Sequence, residues 1–327
     1  MSGTPRIAVT SGDPCGIGPE VILKSLSGLS SRRASLLIIG DLPVFERTAK
    51  QLGCRLPKWT VIRPHDSWPS SFPRLSFLDC GHQRSFRPGH SNEDAGRASI
   101  AYLDYALTLW QTRHIDALVT APVTKWAVEH SVPGFVGHTE YLAQAMGQQD
   151  VAMMFVSDQL RIVLLTRHLP LAQVAGAVDR ALIQMTLKLT YQTLTQSFHL
   201  TRPRLAVCGL NPHAGENGIL GREEQRVLQP ALRHARHAGM RCDGPFAADG
   251  FFAHAYRDYD ATICWYHDQG LIPFKMAARD RGCQLTLGLP LIRTAPDHGS
   301  ALDIAGRGIA HPGSMRYALA LATRLAC

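Results

Sequence analysis

The sequence lacks the cysteine pattern of a cross-linked secreted protein. Its eight cysteines include no Cys-x-x-Cys pair, and Cys208 and Cys264 lie inside predicted strands, where a free thiol behaves as a small apolar residue. The sequence also lacks an apolar run of about 18 residues that could span a membrane. Met1–Arg6 contains no apolar signal core. We therefore expect a soluble protein of the reducing cytoplasm, without a membrane partner.

A dense basic region is absent too. The 327 residues carry a formal net charge of +8, which alone would suit nucleic-acid binding. The lysines and arginines are scattered, however, and no basic run is interleaved with aromatic residues. A positive balance equally suits an enzyme whose substrate carries phosphate and carboxylate groups. We favour the enzyme, and we expect a small phosphorylated substrate and no nucleic-acid partner.

A complete dinucleotide-binding fingerprint is also missing. The segment Gly12–Glu20 follows a predicted strand and opens a helix, and it contains a Gly16-x-Gly18 pair. Position 21 is Val, so the third glycine of the fingerprint is absent, while Pro19 suits the first turn of a helix. The segment is more typical of a structural turn than of a Rossmann fold.

Strand and helix patterns alternate along the chain, which predicts an α/β architecture. No internal repeat or low-complexity linker occurs, so the two domains that the length suggests would be interleaved. Helices are predicted from about Glu20, over Asn92–Trp110, near 170–197 and 222–238, and from about Ser314. Strands are predicted at Arg6–Thr10, Leu36–Gly40, Asp116–Thr120, Arg161–Thr166, Arg204–Leu210, Ala261–Tyr266 and around Gln284–Leu287.

Three of these strands lead directly to a histidine: His168, His213 and His267. Short apolar runs separated by helix-length segments are typical of buried parallel strands, and the ligand site of an open α/β sheet lies beyond their carboxyl ends. Each histidine alone is more typical of a structural or solvated residue. Three at equivalent positions predict a metal site with three imidazole ligands and an open coordination position.

Further polar residues stand near these strand ends. Asp249 and Asp268 could orient a metal-bound imidazole, and Lys275 could bind an anion or assist proton transfer, although it could also be a solvated surface residue. We take these three residues as catalytic. His138 and Thr139 precede a predicted helix and could donate to an anion, although Thr139 could equally be an ordinary helix cap.

Together these segments closely resemble the 4-hydroxythreonine-4-phosphate dehydrogenase family of pyridoxal phosphate biosynthesis. The resemblance covers nearly the whole chain in order and at consistent spacing. It is carried by Gly12-Asp-Pro-x-Gly-Ile-Gly-Pro-Glu20, Gly137-His-Thr-Glu140, Gly209-Leu-Asn-Pro-His-Ala-Gly-Glu216, Tyr266-His-Asp-Gln-Gly270 and Thr286-Leu-Gly-Leu-Pro290 with Arg293.

The resemblance implies a fold like that of isocitrate and isopropylmalate dehydrogenases, which is not a Rossmann fold. We expect two α/β/α domains with a cleft between them. Residues 1–137 with 270–327 would form the first domain, which carries both termini and the cofactor loop. Residues 138–269 would form the second domain, with the metal site and the dimer interface.

The resemblance also implies roles for individual residues. The three strand-end histidines match ligands of a divalent metal (Zn, Co or Mg) that is shared between two subunits of a homodimer. Gln284 stands where the family usually has Asn, and it is one methylene longer. The substrate-binding positions of the family match His138, Thr139, Lys275, Gln284 and Arg293.

A cofactor loop follows from the same resemblance. The segment from His298 to Pro312 looks like the adenosine-binding loop of isopropylmalate and isocitrate dehydrogenases, and it implies His298, Gly299, Ser300 and Asp303 as cofactor-binding residues. Asp303 matches the position that binds the adenosine ribose. Its carboxylate would repel a 2′-phosphate, so we expect NAD rather than NADP.

The implied reaction is NAD-dependent oxidation and decarboxylation of 4-phosphooxy-L-threonine to 3-amino-2-oxopropyl phosphate. A related dehydrogenase could instead act on 4-phospho-D-threonate, 4-phospho-D-erythronate or an aromatic cis-dihydrodiol. The positive charges at positions 275 and 293 favour a phosphorylated substrate. A non-catalytic phosphate- or nucleotide-binding module is the alternative from another class, and the three histidines count against it.

Overall fold

The computed structural model describes residues 4–27, 34–64, 66, 73–81 and 86–327. The chain divides into two compact units, the first comprising Met1–Met146 with Pro290–Cys327 and the second Gly147–Leu289. The sequence placed the boundaries earlier, at 137/138 and 269/270. The boundary at 289/290 has a physical reason. Strand Gly282–Leu287 pairs along its whole length with Ala152–Ser157 and therefore belongs to the second unit.

The first unit is built on a parallel sheet. The strands are β1 (Arg6–Thr10), β2 (Ser35–Gly40), β3 (Thr60–Ile62), β4 (Leu75–Asp79), β5 (Ala117–Thr120) and β12 (Ile292–Pro296). They follow the order β3-β4-β2-β1-β5-β12, and every neighbouring pair in this set is parallel. The helices are α1 (Gly18–Leu26), α2 (Leu42–Gln51), α3 (Glu93–Gln111), α4 (Lys125–Glu129), α5 (His138–Ala145) and α11 (Gly313–Leu325).

Local chemistry explains where the longest helix of this unit begins. The Asn92 side chain accepts a hydrogen bond from the backbone N–H of Ala95, and Glu93 and Asp94 lie in the first turn, where carboxylates favour the helix dipole. The apolar face of α3 then packs against the sheet, with Leu103 fully buried. The cap thus sets where α3 begins, and its buried face packs against β1, β2 and β5.

The second unit has a mixed sheet. The strands are β6 (Ala152–Ser157), β7 (Arg161–Leu164), β8 (Arg204–Cys208), β9 (Arg241–Phe246), β10 (Ala261–Cys264) and β11 (Gly282–Leu287). They follow the order β11-β6-β7-β10-β8-β9; β6 pairs antiparallel with β11 and β7, whereas β7, β10, β8 and β9 run parallel. The helices are α6 (Leu171–Ala177), α7 (Arg180–Gln196), α8 (Gln229–His237), α9 (Ala248–Gly250) and α10 (His267–Ala278).

The structure confirms the α/β class and most of the predicted elements. The region predicted as helical near 170–197 is two helices, because Asp179 caps the second by accepting from the backbone N–H of Leu182. No individual strand was predicted at the positions of β3, β4, β6, β9 or β12. Among the helices of the described residues, none is long and apolar enough to cross a membrane.

Candidate active site

Three adjoining strands of the second unit end at one edge of its sheet. In the order β7-β10-β8 the strands are parallel and in level register, with Cys264 beside Leu164 and Ile263 beside Val207. The chain leaves these ends towards His168, His267 and His213 respectively. The rings of His168 and His267 lie 6.3 Å apart, centroid to centroid. The predicted grouping of three parallel strands with histidines after their carboxyl ends is therefore present in the fold.

A buried network fixes two of these strand ends to each other. Trp265 is fully buried, and its indole N–H donates to the Cys208 carbonyl at 2.8 Å. The Gln269 side chain accepts from the backbone N–H of Trp265 at 2.8 Å and donates to the Gly209 carbonyl at 2.7 Å. These contacts hold the segments before His267 and His213 at a fixed separation, because each buried polar group that they satisfy would be costly to expose or leave unpaired.

The turn that carries His213 has an unusual backbone. Within Pro212–Gly218, six consecutive residues adopt positive φ: His213 (51°), Ala214 (53°), Gly215 (83°), Glu216 (41°), Asn217 (53°) and Gly218 (94°). Left-handed backbone costs roughly 1–2 kcal/mol at each non-glycine residue. The buried Glu224 carboxylate holds the entrance to this turn, accepting from the backbone N–H groups of Leu210 and Asn211 at 2.8 Å each. Strain maintained by a buried anchor points to a functional position for His213.

The imidazole of His267 has a carboxylate partner. Its Nδ1 lies 2.7 Å from Oδ1 of Asp268. With the Nδ1 proton donated to that carboxylate, Nε2 presents its lone pair to a ligand. A pocket of about 540 Å³ adjoins this pair and is lined by His213, Asp249 and Asp268. The structure therefore brings two predicted catalytic aspartates to the same pocket as one predicted metal ligand.

Lys275 and Gln284 occupy different environments. Lys275 is exposed on α10, seven positions after Asp268 and therefore on the same face of the helix. It does not line the pocket described above. Gln284 is nearly buried on β11, and its side-chain N–H donates to Oγ1 of Thr286 at 3.2 Å.

The donor set of the second unit suits a divalent metal, since neutral imidazole is a common ligand of such ions and Asp268 can orient one ring. Within the described part of a single chain, however, no group of three or more His, Cys, Asp or Glu side chains is arranged to hold an ion. All three histidines are exposed. The metal site thus stays a prediction, and in one chain its expected ligands are on the surface.

In the first unit, Arg293 forms the centre of a positively charged site. The residue is only 2 % exposed, and its Nε and Nη2 donate to Oγ1 of Thr120 at 3.1 and 2.5 Å. Its Nη1 lies 3.5 Å from Oγ1 of Thr139. Desolvation, and then the positive charges of Arg293 and Lys125, hold the pKa of His138 well below its usual 6.5. His138 is therefore neutral near pH 7 and can donate one hydrogen bond beside a fixed guanidinium.

The lowered pKa of His138 predicts a specific pH dependence of stability. Below pH 6.5 the unfolded chain binds a proton that the folded chain resists, so the free energy of unfolding is retained above 6.5 and falls as the pH decreases. The loss is at most about 1.4 kcal/mol per pH unit for this one group. We expect His138→Gln to lose less stability than the native protein between about pH 7 and pH 5, measured by urea unfolding. The half-exposed His130→Gln variant is the control; an unchanged pH slope for His138→Gln would contradict the assignment.

The predicted cofactor loop lies beyond β12, beside the loops that follow β1 and β5. Backbone N–H of Ile17 donates to the Ser300 carbonyl at 3.0 Å, and Oγ1 of Thr124 donates to Oγ of Ser300 at 2.9 Å. Nε2 of His298 is buried without a hydrogen-bond partner among the described residues, so it can still pair with a ligand. Asp303 is exposed. These features fit a nucleotide with a hydrogen-bonding ribose and base.

Two residues of these sites were missed from the sequence. Thr120 is the last residue of β5 and contacts Arg293, and the strand-end rule applied to histidines would have found it. Glu224 carries no comparable signal, because its role depends on a turn whose backbone the sequence does not reveal.

The chain is similar in sequence to a known protein family and to named members of it. The family described as "Pyridoxal phosphate biosynthetic protein PdxA" matches residues 32–322. The chain belongs to the PdxA family. A curated relative from Acidithiobacillus ferrooxidans, 4-hydroxythreonine-4-phosphate dehydrogenase, is 42% identical over 323 residues, covering 98% of this chain and 96% of that protein. The family predicted from the motifs, with its function in pyridoxal phosphate biosynthesis, is thereby confirmed.

Solved structures of several dehydrogenases agree with the fold. A 4-hydroxythreonine-4-phosphate dehydrogenase from Klebsiella pneumoniae matches with a TM-score of 0.85 and 33% identity, covering 99% of this chain and 100% of that one. A terephthalate 1,2-cis-dihydrodiol dehydrogenase from Burkholderia xenovorans matches at 0.65 and 30%, covering 98% of each chain. Isocitrate dehydrogenase from Methylococcus capsulatus matches at 0.51 with 15% identity, over 97% of this chain and 84% of that one. The last match shows the fold alone and confirms the predicted isocitrate dehydrogenase-like class.

Proposed function

We propose that this PdxA-family dehydrogenase oxidises 4-phosphooxy-L-threonine with NAD and decarboxylates the product to 3-amino-2-oxopropyl phosphate. The observation that carries the proposal is the set of histidines after three adjoining parallel strands, in a chain that matches named 4-hydroxythreonine-4-phosphate dehydrogenases over its length. The family match favours an enzyme over a phosphate-binding module.

The first unit supplies binding of the anionic substrate. Arg293 is pre-oriented by Thr120 and buried, so it can offer its guanidinium to a phosphate or carboxylate without first losing side-chain freedom. Neutral His138 donates beside it, together with the hydroxyl of Thr139. Lys275 and Gln284 are the remaining residues proposed to bind substrate, Lys275 through its positive charge and Gln284 through its amide.

The strand-end histidines and the aspartates near them are the groups proposed to act on the reacting carbons. We assign His168, His213 and His267 to hold a divalent cation (Zn, Co or Mg), which when bound would lower the pKa of the substrate hydroxyl and stabilise negative charge on its oxygen. Asp268 orients His267, and Asp249 shares the pocket with His213. Lys275, Asp249 and Asp268 are the groups proposed to transfer protons during oxidation and after carbon dioxide leaves.

The cofactor site would accept NAD through His298, Gly299, Ser300 and Asp303. The orphaned Nε2 of His298 can pair with the adenine, and the Asp303 carboxylate can accept from the ribose hydroxyls while repelling a 2′-phosphate. Hydride would pass from the substrate carbon to the nicotinamide, which leaves a 3-keto acid that loses carbon dioxide.

A homodimer would complete the metal site. The three histidines are exposed in one chain, and large apolar side chains close to them in sequence are exposed as well: Ile219 is 80 % exposed, Met276 75 % and Leu171 66 %. Such apolar exposure is typical of a surface covered by another subunit. Because none of the eight cysteines forms a disulfide, we also propose a reducing, cytoplasmic location.

The substrate is tested by NADH formation with purified protein. We expect turnover of 4-phosphooxy-L-threonine to exceed that of 4-phospho-D-threonate and 4-phospho-D-erythronate, to disappear after metal stripping and to return when a divalent ion is added. NAD should be used more efficiently than NADP. Equal efficiency with both cofactors would refute the role of Asp303, and retained ligand affinity without turnover of any substrate would favour a binding module.

The residue at position 284 bears on the choice between 4-phosphooxy-L-threonine and the related substrates. Gln284 donates to Thr286 and is nearly buried, whereas the sequence resemblance expects the shorter Asn at this substrate-binding position. If 4-phospho-D-threonate is the preferred substrate, Gln284→Asn should shift preference towards 4-phosphooxy-L-threonine.

A further inference from the structure

An ion pair on α1 fastens the chain that follows the cofactor residues. Glu20 is 3 % exposed, and its Oε1 accepts from the backbone N–H of Ala310 at 2.8 Å. Nζ of Lys24 donates to the same Oε1 at 2.7 Å and to the carbonyls of Gly308 and Ala310 at 2.8 Å each. All three ammonium protons are thereby used, and both backbone groups of Ala310 are bound by one pair of side chains.

The other end of this chain segment is fastened by the loop before α1. Ser300 accepts from Ile17 and Thr124, as described above. Gly16 is required at this contact, because a Cβ there would lie 2.9 Å from the Ser300 carbonyl oxygen. Residues 300–310 contain no helix or strand of their own. The segment has two turn hydrogen bonds of its own, from the N–H groups of Ile304 and Arg307, and residues 16–24 with Thr124 hold its two ends.

We propose that Glu20 and Lys24 are positioning residues that hold segment 300–310 in the conformation that binds the adenosine half of NAD. This inference rests on the proposed cofactor site. Neither side chain needs to touch the nucleotide: a segment without regular structure pays an ordering cost on binding, and the ion pair removes part of that cost in advance. The incomplete glycine fingerprint of Gly12–Glu20 then has a role as the scaffold of the cofactor loop.

The geometry separates this role from that of an ordinary stabilising salt bridge. A surface pair of this i, i+4 type contributes little by itself. Here the pair also satisfies three backbone groups at positions 308 and 310, which lie 284 or more residues away in sequence. Removing the ammonium group would release two carbonyls and loosen this segment selectively.

The test compares Lys24→Met with the native enzyme and with Lys24→Arg. We expect Lys24→Met to raise KM for NAD and Kd for ADP-ribose by about tenfold, through loss of two charge-assisted hydrogen bonds. The kcat at saturating NAD and the KM for the phosphorylated substrate should change less than about twofold, since Lys24 is neither among the proposed catalytic residues nor among the proposed substrate-binding residues. Lys24→Arg, which keeps the charge and several donors, should recover most of the affinity. Arg97→Met, which removes two exposed ion pairs of α3 in the same unit, is the matched control.

Calorimetric titration with ADP-ribose separates this inference from the proposed function. If the native enzyme reduces NAD, but Lys24→Met and the native enzyme bind ADP-ribose equally tightly, the positioning role alone is wrong. A fall in kcat and melting temperature, together with a rise in KM for both NAD and the phosphorylated substrate, would equally overturn the positioning role. The ion pair would then only stabilise the fold. If native protein binds neither NAD nor ADP-ribose, the cofactor assignment itself fails.

Discussion

His213→Ala is expected to lower kcat/KM by at least about 10³-fold. His213 lies on a left-handed turn that the buried Glu224 anchors, and it lines the same pocket as Asp249 and Asp268. Removing one of three imidazole ligands would weaken binding of the cation that is proposed to stabilise negative charge on the substrate oxygen. Bound metal, measured by elemental mass spectrometry, should fall in parallel with activity.

Two further variants make this result specific. His213→Asn keeps a residue that tolerates left-handed backbone, so it should lose metal and activity without added strain. His237→Ala removes an exposed histidine in the last turn of α8 and should leave both unchanged. Near-normal activity of His213→Ala in the presence of a chelator would show that the metal role is wrong.

The same variants test whether the ligands come from two subunits. Single alanine variants of His168, His213 and His267 should each be inactive as homodimers. If a site takes two of its ligands from different chains, a mixed dimer of those two variants contains one intact site. Random assembly would then restore roughly a quarter of native activity for at least one pairwise mixture. Failure of all three mixtures would place the ligands in one chain.

How far the sequence predicts this molecule depends on where the signal is local. The strands before the three histidines are short apolar runs with clear ends, so the alternation of strands and helices was sufficient to find them. Their adjacency followed from the rule that ligand sites lie at carboxyl ends of parallel strands. The family motifs then supplied roles that no single pattern could.

Other elements could not be predicted, for physical reasons. Strand β12 contains Arg293 and Thr294, which are 2 % and 0 % exposed, and a charged residue inside a strand is normally taken as evidence against burial. The local rule fails at β12 because of the arginine that we propose binds the substrate. The left-handed turn at His213 was equally hidden, since four of its six positive-φ residues are not glycine and Glu224 holds it from outside the turn.

Arg293→Met is expected to lower kcat/KM for the phosphorylated substrate by about 10³-fold, mainly through KM. The guanidinium is buried and held by Thr120, so a substrate anion would lose a desolvated, pre-oriented partner. Methionine keeps an unbranched apolar stem of similar reach but carries no charge. The KM for NAD should change little, because the cofactor segment has its own contacts at Ser300.

Arg293→Lys is the second variant, and it decides the result if methionine destabilises the first unit. Lysine retains the charge but loses the planar fork, so we expect an intermediate loss of about 30-fold. The affinity for inorganic phosphate, measured as a competitive inhibitor constant, should weaken in the order Arg, Lys, Met. If a folded Arg293→Met protein retains native kcat/KM, Arg293 does not bind the substrate. The anion would then have to bind elsewhere, with Lys275 as the remaining assigned cation.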